Sequence, residues 1–215
     1  MMNSSSKSDP LTTPTDASNG KIAVVESVRV SATVDPSIKF TIEGVLSGTT
    51  TCGIATSAQT NSDSVPFGVL ALDTSKVLAQ KLTVSTNGAG GCVVTASESG
   101  QMSNGQVTPI FIPNTLCDSG SCTYNGAGSA WATALAHPGF GYAMDIAAGT
   151  PTVTPSTNTL YRPFSTIPNP AQTIMSNASI ASGQSAYVCY KISVDATQAA
   201  GDYENQITYT ATASF

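Results

Sequence analysis

Alternation of apolar and polar residues dominates both ends of the chain. Val28, Val30, Ala32 and Val34 interleave with Arg29, Ser31, Thr33 and Asp35. After Pro36 the rhythm resumes, with Ile38, Phe40 and Ile42 set against Lys39, Thr41 and Glu43. A period of two built from β-branched residues predicts strands with one buried face. Pro36 lacks the N–H that a ladder requires, so it marks a bend or a change of sheet. Residues 44–64 read as a Gly/Thr/Ser-rich loop carrying Cys52, and the apolar run Val65–Leu72 predicts a short strand. Residues 80–97 read as a hairpin: Leu82 and Val84 alternate with Lys81 and Thr83, and Asn87–Gly91 (NGAGG) supplies a turn with positive φ before Cys92. Near the other end Val188, Tyr190, Ile192 and Val194 share one face, and Cys189, Lys191 and Ser193 the other. After a turn at 199–202, Tyr203, Ile207, Tyr209, Ala211, Ala213 and Phe215 alternate with Glu204, Gln206, Thr208, Thr210, Thr212 and Ser214.

The middle, 98–180, is irregular and rich in proline. Ser129–Ala136 predicts two turns of helix ahead of Pro138, yet no helical apolar stripe of ten residues occurs. Residues 1–21 are polar, with Pro10 and Pro14, and read as an arm or linker. The expected architecture is all-β. It is an antiparallel Ig-like β-sandwich over 22–215, with an irregular insertion at about 100–180 and a flexible N-terminal arm.

Composition sharpens this picture. Of 215 residues, 28 are Ser and 29 are Thr, while 8 Lys+Arg and 13 Asp+Glu make up only 10%, against about 25% in typical domains. Eight scattered cations and a pI near 4.5 exclude a nucleic-acid partner. A mean hydropathy of +0.07 with a net charge of −5 argues against wholesale disorder. Apolar runs such as Ile22–Val25 fall far short of a transmembrane segment. The N-terminus shows no signal peptide, and the expectation is a mature exported chain. Ser31, Thr33, Thr41, Thr83, Thr208, Thr210 and Thr212 occupy outward strand positions, so the hydroxyls form sheet faces, where β-branched Thr suits the geometry.

The candidate chemistry is sparse. Cys117-Asp-Ser-Gly-Ser-Cys122 suits a local disulfide, which implies an oxidising compartment. An odd total of five cysteines leaves one thiol over. His137 is the only histidine, too few for a zinc site, and no Gly-x-Ser-x-Gly elbow accompanies it. Asp118, Asp145, Asp195 and Asp202 lack EF-hand spacing and read as turn formers. Glu26, Glu43, Glu98 and Glu204 make a poor glycosidase pair. Lys81, Lys191 and Asn205 lie on strands as an isopeptide bond would need, but both lysines hold outward positions and read as solvated. Trp131, Phe140, Tyr142 and Tyr161 either line a sugar platform or plug the sandwich under the irregular region. Asn3 and Asn177 match the glycosylation sequon. No catalytic residue, metal or cofactor is expected.

Three stretches together carry a family resemblance: VRVSATVDPSIKFTI; VPFGVLAL followed by QKLTVSTNGAGGCVVTA; and YKISVDATQAAGDYENQITYTATASF. They resemble secreted Ig-like surface proteins of candidate-phyla bacteria and, remotely, the WxL domains of Gram-positive cell-wall proteins. The resemblance covers about 28–100 and 185–215 and implies export and a surface role. The Trp-x-Leu motifs are replaced by Cys92-Val93-Val94 and Tyr209-Thr210-Ala211, so the peptidoglycan-binding role of WxL domains is not carried over. Cys92 stands where related proteins show an aromatic, and Cys189 where they show Gly. That hints at a Cys92–Cys189 bridge, leaving Cys52 unpaired or intermolecular. Strand parity opposes the bridge, because Cys92 should face inward and Cys189 outward unless a bulge intervenes.

The expected function is therefore non-enzymatic: a self-assembling subunit of a pilus-like surface filament or surface layer, with copies of itself as partners. A low-charge face offers little repulsion between copies. The strand running to Phe215 has no anchor after it, and the arm, through Ile22, Val24, Val25, Val28, Val30 and Val34, is the candidate donor strand for a neighbour. The alternative is a monomeric adhesin that binds a cell-wall or host glycan, or a host protein, through loops 100–165.

Overall fold

Eight strands build two facing sheets, in keeping with the period-two pattern. They are β1 (Ile38–Gly44), β2 (Thr74–Thr86), β3 (Cys92–Glu98), β4 (Gly139–Ala148), β5 (Thr152–Val153), β6 (Gln172–Asn177), β7 (Ala181–Val194) and β8 (Ile207–Ala213). The computed structural model describes residues 27–133 and 135–215, and no helix occurs among them. One sheet has the order β1-β2-β7-β4 and the other β5-β6-β3-β8, with every neighbouring pair antiparallel. The fold is an all-β antiparallel sandwich. Three two-stranded ribbons decorate it: Thr50–Thr51 with Ile54–Ala55, Met102–Ser103 with Phe111–Ile112, and Ser129–Ala130 with Leu160–Tyr161.

The chain divides into two units, residues 1–34 and Asp35–Phe215. Residues 27–34 form no strand, so the strand expected over 28–34 is absent, and Val28, Val30 and Val34 are 83%, 90% and 82% exposed. Ile22, Val24 and Val25 lie outside the described residues.

Within Asp35–Phe215 the main core fills the space between the sheets. Leu78, Leu82 and Val84 from β2, Tyr142 and Met144 from β4, and Val188, Tyr190 and Ile192 from β7 meet Val94 and Ala96 from β3 and Ile174 and Met175 from β6. The odd-numbered residues of β2, β4 and β7 point the other way, and there a second core forms. It contains Val77, Ala79, Ala143 and Cys189, roofed by Val45, Cys52, Cys117, Cys122, Trp131 and Tyr161 from the loops. β2, β4 and β7 are thus covered on both faces where the two cores overlie them.

Three further expectations are corrected. Residues 80–97 are not a hairpin: β2 pairs with β1 and β7, while β3 pairs with β6 and β8. The Asn87–Gly91 turn carries the chain between sheets, because its composition specifies positive φ and tightness but not which edge the next strand joins. Ser129–Ala136 forms no helix in its described residues; Ser129 and Ala130 pair with Tyr161 and Leu160 instead. The last strand is an edge strand ending at Ala213, and Phe215 is exposed.

The crossing turn is tightly held. Gly90 N–H donates to Ser214 O at 3.0 Å, and Ser214 N–H donates to Gly91 O at 2.9 Å. Gly91 has φ +80°, and a Cβ there would collide with the Asn177 carbonyl. Gly91→Ala should therefore destabilise the fold by about 1–3 kcal/mol through left-handed strain alone. Gly100→Ala, with open space around it, should leave the thermal midpoint nearly unchanged. Calorimetry of both variants checks this.

Candidate assembly interface

The two sheets close unevenly. β1 and β8 are free edges of their sheets and approach each other on one side of the sandwich. Their inward side chains, Phe40 and Ile42 on β1 and Ile207, Tyr209 and Ala211 on β8, are only half-buried. On the outer face of β8, Thr208, Thr210 and Thr212 are exposed, as the alternation predicts. Unpaired edges of this kind are templates for strand addition. A gap of about 260 Å³ lies between the edges, with Ile42, Gln80, Tyr190 and Tyr209 among its lining. Tyr190 Oη donates to Gln80 Oε1 at 2.6 Å and shares a 2.6 Å hydrogen bond with Tyr209 Oη. Burial pushes both phenols well above their ordinary value.

At one end of the sandwich the gap opens into a groove of about 760 Å³. One wall is residues 65–72, the other 198–203, and Met102, Ile112, Ile192 and Val194 contribute apolar lining. The short strand expected at Val65–Leu72 is absent. Pro66 cannot donate to a ladder, and Gly68 has φ +61°. Lys76 Nζ holds this wall in place, donating to Phe67 O at 2.8 Å and to Val69 O at 2.6 Å. Val69 is 90% exposed and Leu72 is 51% exposed.

Behind the groove a buried acid braces the second sheet. Glu98, fully buried on β3, accepts from Asn114 Nδ2 (2.6 Å), Thr166 Oγ1 (2.7 Å) and Asn205 Nδ2 (2.8 Å). Burial raises its pKa above the ordinary carboxylate value, against the lowering effect of those three donors. The cluster gathers residues 68–107 positions apart from Glu98 around one carboxylate, together with nearby Asn114, and nothing in the linear spacing announces it.

The cysteines lie on the second core. Cys117 and Cys122 form a disulfide with Cα atoms 5.6 Å apart. Cys189 bonds to Cys52, not Cys92, with Cα atoms 6.3 Å apart. Parity explains the correction. Cys189 faces away from the main core, where the 44–64 loop crosses, and Cys52 N–H donates to Asp145 Oδ2 there at 2.8 Å. Cys92 faces the main core and is the free, buried thiol, its pKa raised by burial against a lowering backbone hydrogen bond. Cys52 and Cys117 both hold left-handed backbone, φ 49° and 54°.

The four candidate platform aromatics are all buried, so none offers a stacking face to a glycan. Phe140 and Tyr142 stack with Phe164 in the main core. Trp131 and Tyr161 meet edge to face at 5.7 Å above Lys191. Lys191, expected to be solvated, does face outward from its sheet, yet Trp131 covers it. Its Nζ donates to Trp131 O and lies 5.0 and 5.1 Å from the two ring centres. Burial lowers its pKa, while the Asp118 charge raises it. Trp131 Nε1 and Tyr161 Oη have no hydrogen-bond partner.

The remaining candidates stay apart. Lys81 pairs with Glu43 at 3.2 Å, and Asn205 serves Glu98, so Lys81, Lys191 and Asn205 share no site. Asp118 accepts from Ala132 and Thr133 N–H, Asp195 from Thr197, and Asp202 lines the groove. Among the described residues no three His, Cys, Asp or Glu side chains gather as metal ligands. His137 lies beside Gly120, and Asn177 Nδ2 donates to Ser179 O. Glu26 and Asn3 lie outside the described residues. No helix among those residues is long and apolar enough to cross a membrane.

No known protein family matches the chain, and no curated protein is similar to it.

Two predictions follow from this geometry. The Cys52–Cys189 bridge spans 137 residues and the Cys117–Cys122 bridge 5. Chain entropy assigns them about 5 and about 2 kcal/mol respectively at 25 °C. Removing Cys52 and Cys189 together should thus lower the denaturation midpoint more than removing Cys117 and Cys122. Mass counting should find one alkylatable thiol, reactive only after unfolding. For Glu98, a folded pKa above the ordinary 4.5 means that its stabilising contribution is complete below that value and is lost as pH rises through the raised one. Denaturation midpoints measured from about pH 4 to about pH 7 should therefore fall relative to those of Glu98→Gln, which cannot ionise.

Proposed function

We propose that the protein is a non-enzymatic extracellular structural subunit that assembles with copies of itself into a surface filament or layer, joined by donation of the N-terminal arm as a strand. The observation that carries this reading is the state of residues 28–34. Their alternation is that of a half-buried strand, yet Val28, Val30 and Val34 lie 82–90% exposed in a segment with no strand pairing. A contiguous apolar stripe left in solvent marks an interaction surface, and an extended segment finds its partners at a sheet edge. The half-covered edges β1 and β8 provide such a place. Two disulfides support an oxidising, extracellular setting. The exposed threonines of β8 and the low total charge reduce repulsion between subunits.

Negative-stain microscopy and light scattering of concentrated protein should reveal fibres or sheets. Deletion of residues 1–34 should abolish them while leaving the thermal midpoint of the sandwich within a few degrees. A full-length chain that remains monomeric at every concentration, or a deletion that still polymerises, would sink the proposal.

A further inference from the structure

We infer that the end groove between residues 65–72 and 198–203 is the acceptor for the arm of a neighbouring copy, so that subunits join head to tail. The inference rests on the strand donation proposed above and names the surface that receives it.

The groove suits an apolar strand. Met102, Ile112, Ile192 and Val194 are among its lining, and Asp202 is the one carboxylate or ammonium group lining it among the described residues. Val28, Val30, Ala32 and Val34 would present an uncharged face at intervals of about 6.6 Å, leaving Arg29, Ser31 and Thr33 to solvent. The 65–72 wall has the residue pattern of a strand but pairs with no strand among the described residues; Lys76 Nζ takes the Phe67 and Val69 carbonyls and Thr74 Oγ1 the Ala71 carbonyl, so an incoming chain would pair along the opposite edge of this backbone. The groove also continues into the gap between β1 and β8, the two sharing Val65, Phe67 and Met102.

The direction of assembly follows from where the chain enters the sandwich. Ser37 N–H donates to Asn87 Oδ1 at 2.8 Å, and Asn87 Nδ2 donates to Asp35 O at 2.8 Å, so the chain enters beside the Thr86 end of β2. The groove lies at the other end of β2, where Thr74 pairs with Val194. Thirteen residues of strand separate these poles by about 40 Å. Fully extended, residues 22–34 reach only about 43 Å. An arm returning to its own groove would consume its whole length on the way, whereas a copy stacked end to end presents its groove at once. The contact joins two different surfaces, which leaves a free arm at one end and an empty groove at the other, and so propagates instead of closing a dimer.

The test uses full-length chains. Val30→Cys and Val69→Cys variants, mixed under mild oxidation, should give a disulfide-linked pair identified by mass spectrometry. Val30→Cys mixed with Ile180→Cys, an exposed residue at the opposite pole, should not. A second variant, Val69→Asp with Leu72→Asp, alters exposed side chains. It should stop assembly by at least tenfold in critical concentration, with the thermal midpoint unchanged. If V69D/L72D assembles normally while the arm deletion does not, the arm docks elsewhere: this inference falls and strand donation stands. Equal cross-linking to Ile180→Cys has the same meaning. If wild-type protein does not assemble and the Val30→Cys and Val69→Cys variants do not cross-link, both fall.

Discussion

Seven consecutive residues of β7, Val188 to Val194, are buried, so this stretch of the strand has no solvent face. A strand in that position must be covered twice, and the rest of the molecule is arranged to do so. Its even-numbered side chains pack against the second sheet. Its odd-numbered ones, Cys189, Lys191 and Ser193, need a separate roof, which the loop at 44–64, the segment 117–131 and Tyr161 provide. Loops make poor covers because ordering them costs conformational entropy. Each is therefore fastened, one by Cys52–Cys189, the other by the Cys117–Cys122 staple and by Lys191 beneath Trp131. Left-handed backbone at Cys52 and Cys117 shows that these fastenings hold conformations that L-residues rarely adopt.

The same arrangement explains the open side. Cover is concentrated over β2, β7 and β4, while β1 and β8 lie at the margin with their inward side chains half-wet. Glu98 and its three donors sit near that margin and tie β3 to the segments preceding β6 and β8 without another strand. A hydrogen-bonded acid closes one corner of the sandwich where hydrophobic packing does not, and its burial makes the corner sensitive to proton loss.

Strands with one wet face were legible in the sequence. β1 and β8 each alternate, because water on one side imposes a polar residue at every second position. β4 was not legible: its first six residues are buried on both faces, so GFGYAM carries no period to read. Residues 28–34 show the reverse failure, an alternation that forms no strand among the described residues. The Asn87–Gly91 turn was recognisable as a turn, but a local signal holds no information about which sheet follows. Cys117–Cys122 was readable from five-residue spacing; Cys52–Cys189, across 137 residues, depends on which loop roofs which face. The end groove was invisible for the same reason. Its walls come from segments that sequence reading treats as a strand and a turn, and only tertiary placement sets them opposite each other.

With 21.8 kDa of protein carrying 8 cations and 13 acids, and with its one surface ion pair among the described residues at Lys81–Glu43, little of this molecule's cohesion is electrostatic. Dissolved ions weaken attraction and repulsion between exposed charges, and here there are few of either to weaken. Burial, disulfides and hydroxyl hydrogen bonds do the holding instead. A fold held this way loses little of its stability when dissolved ions screen its charges, so its shape changes little between fresh water and brine.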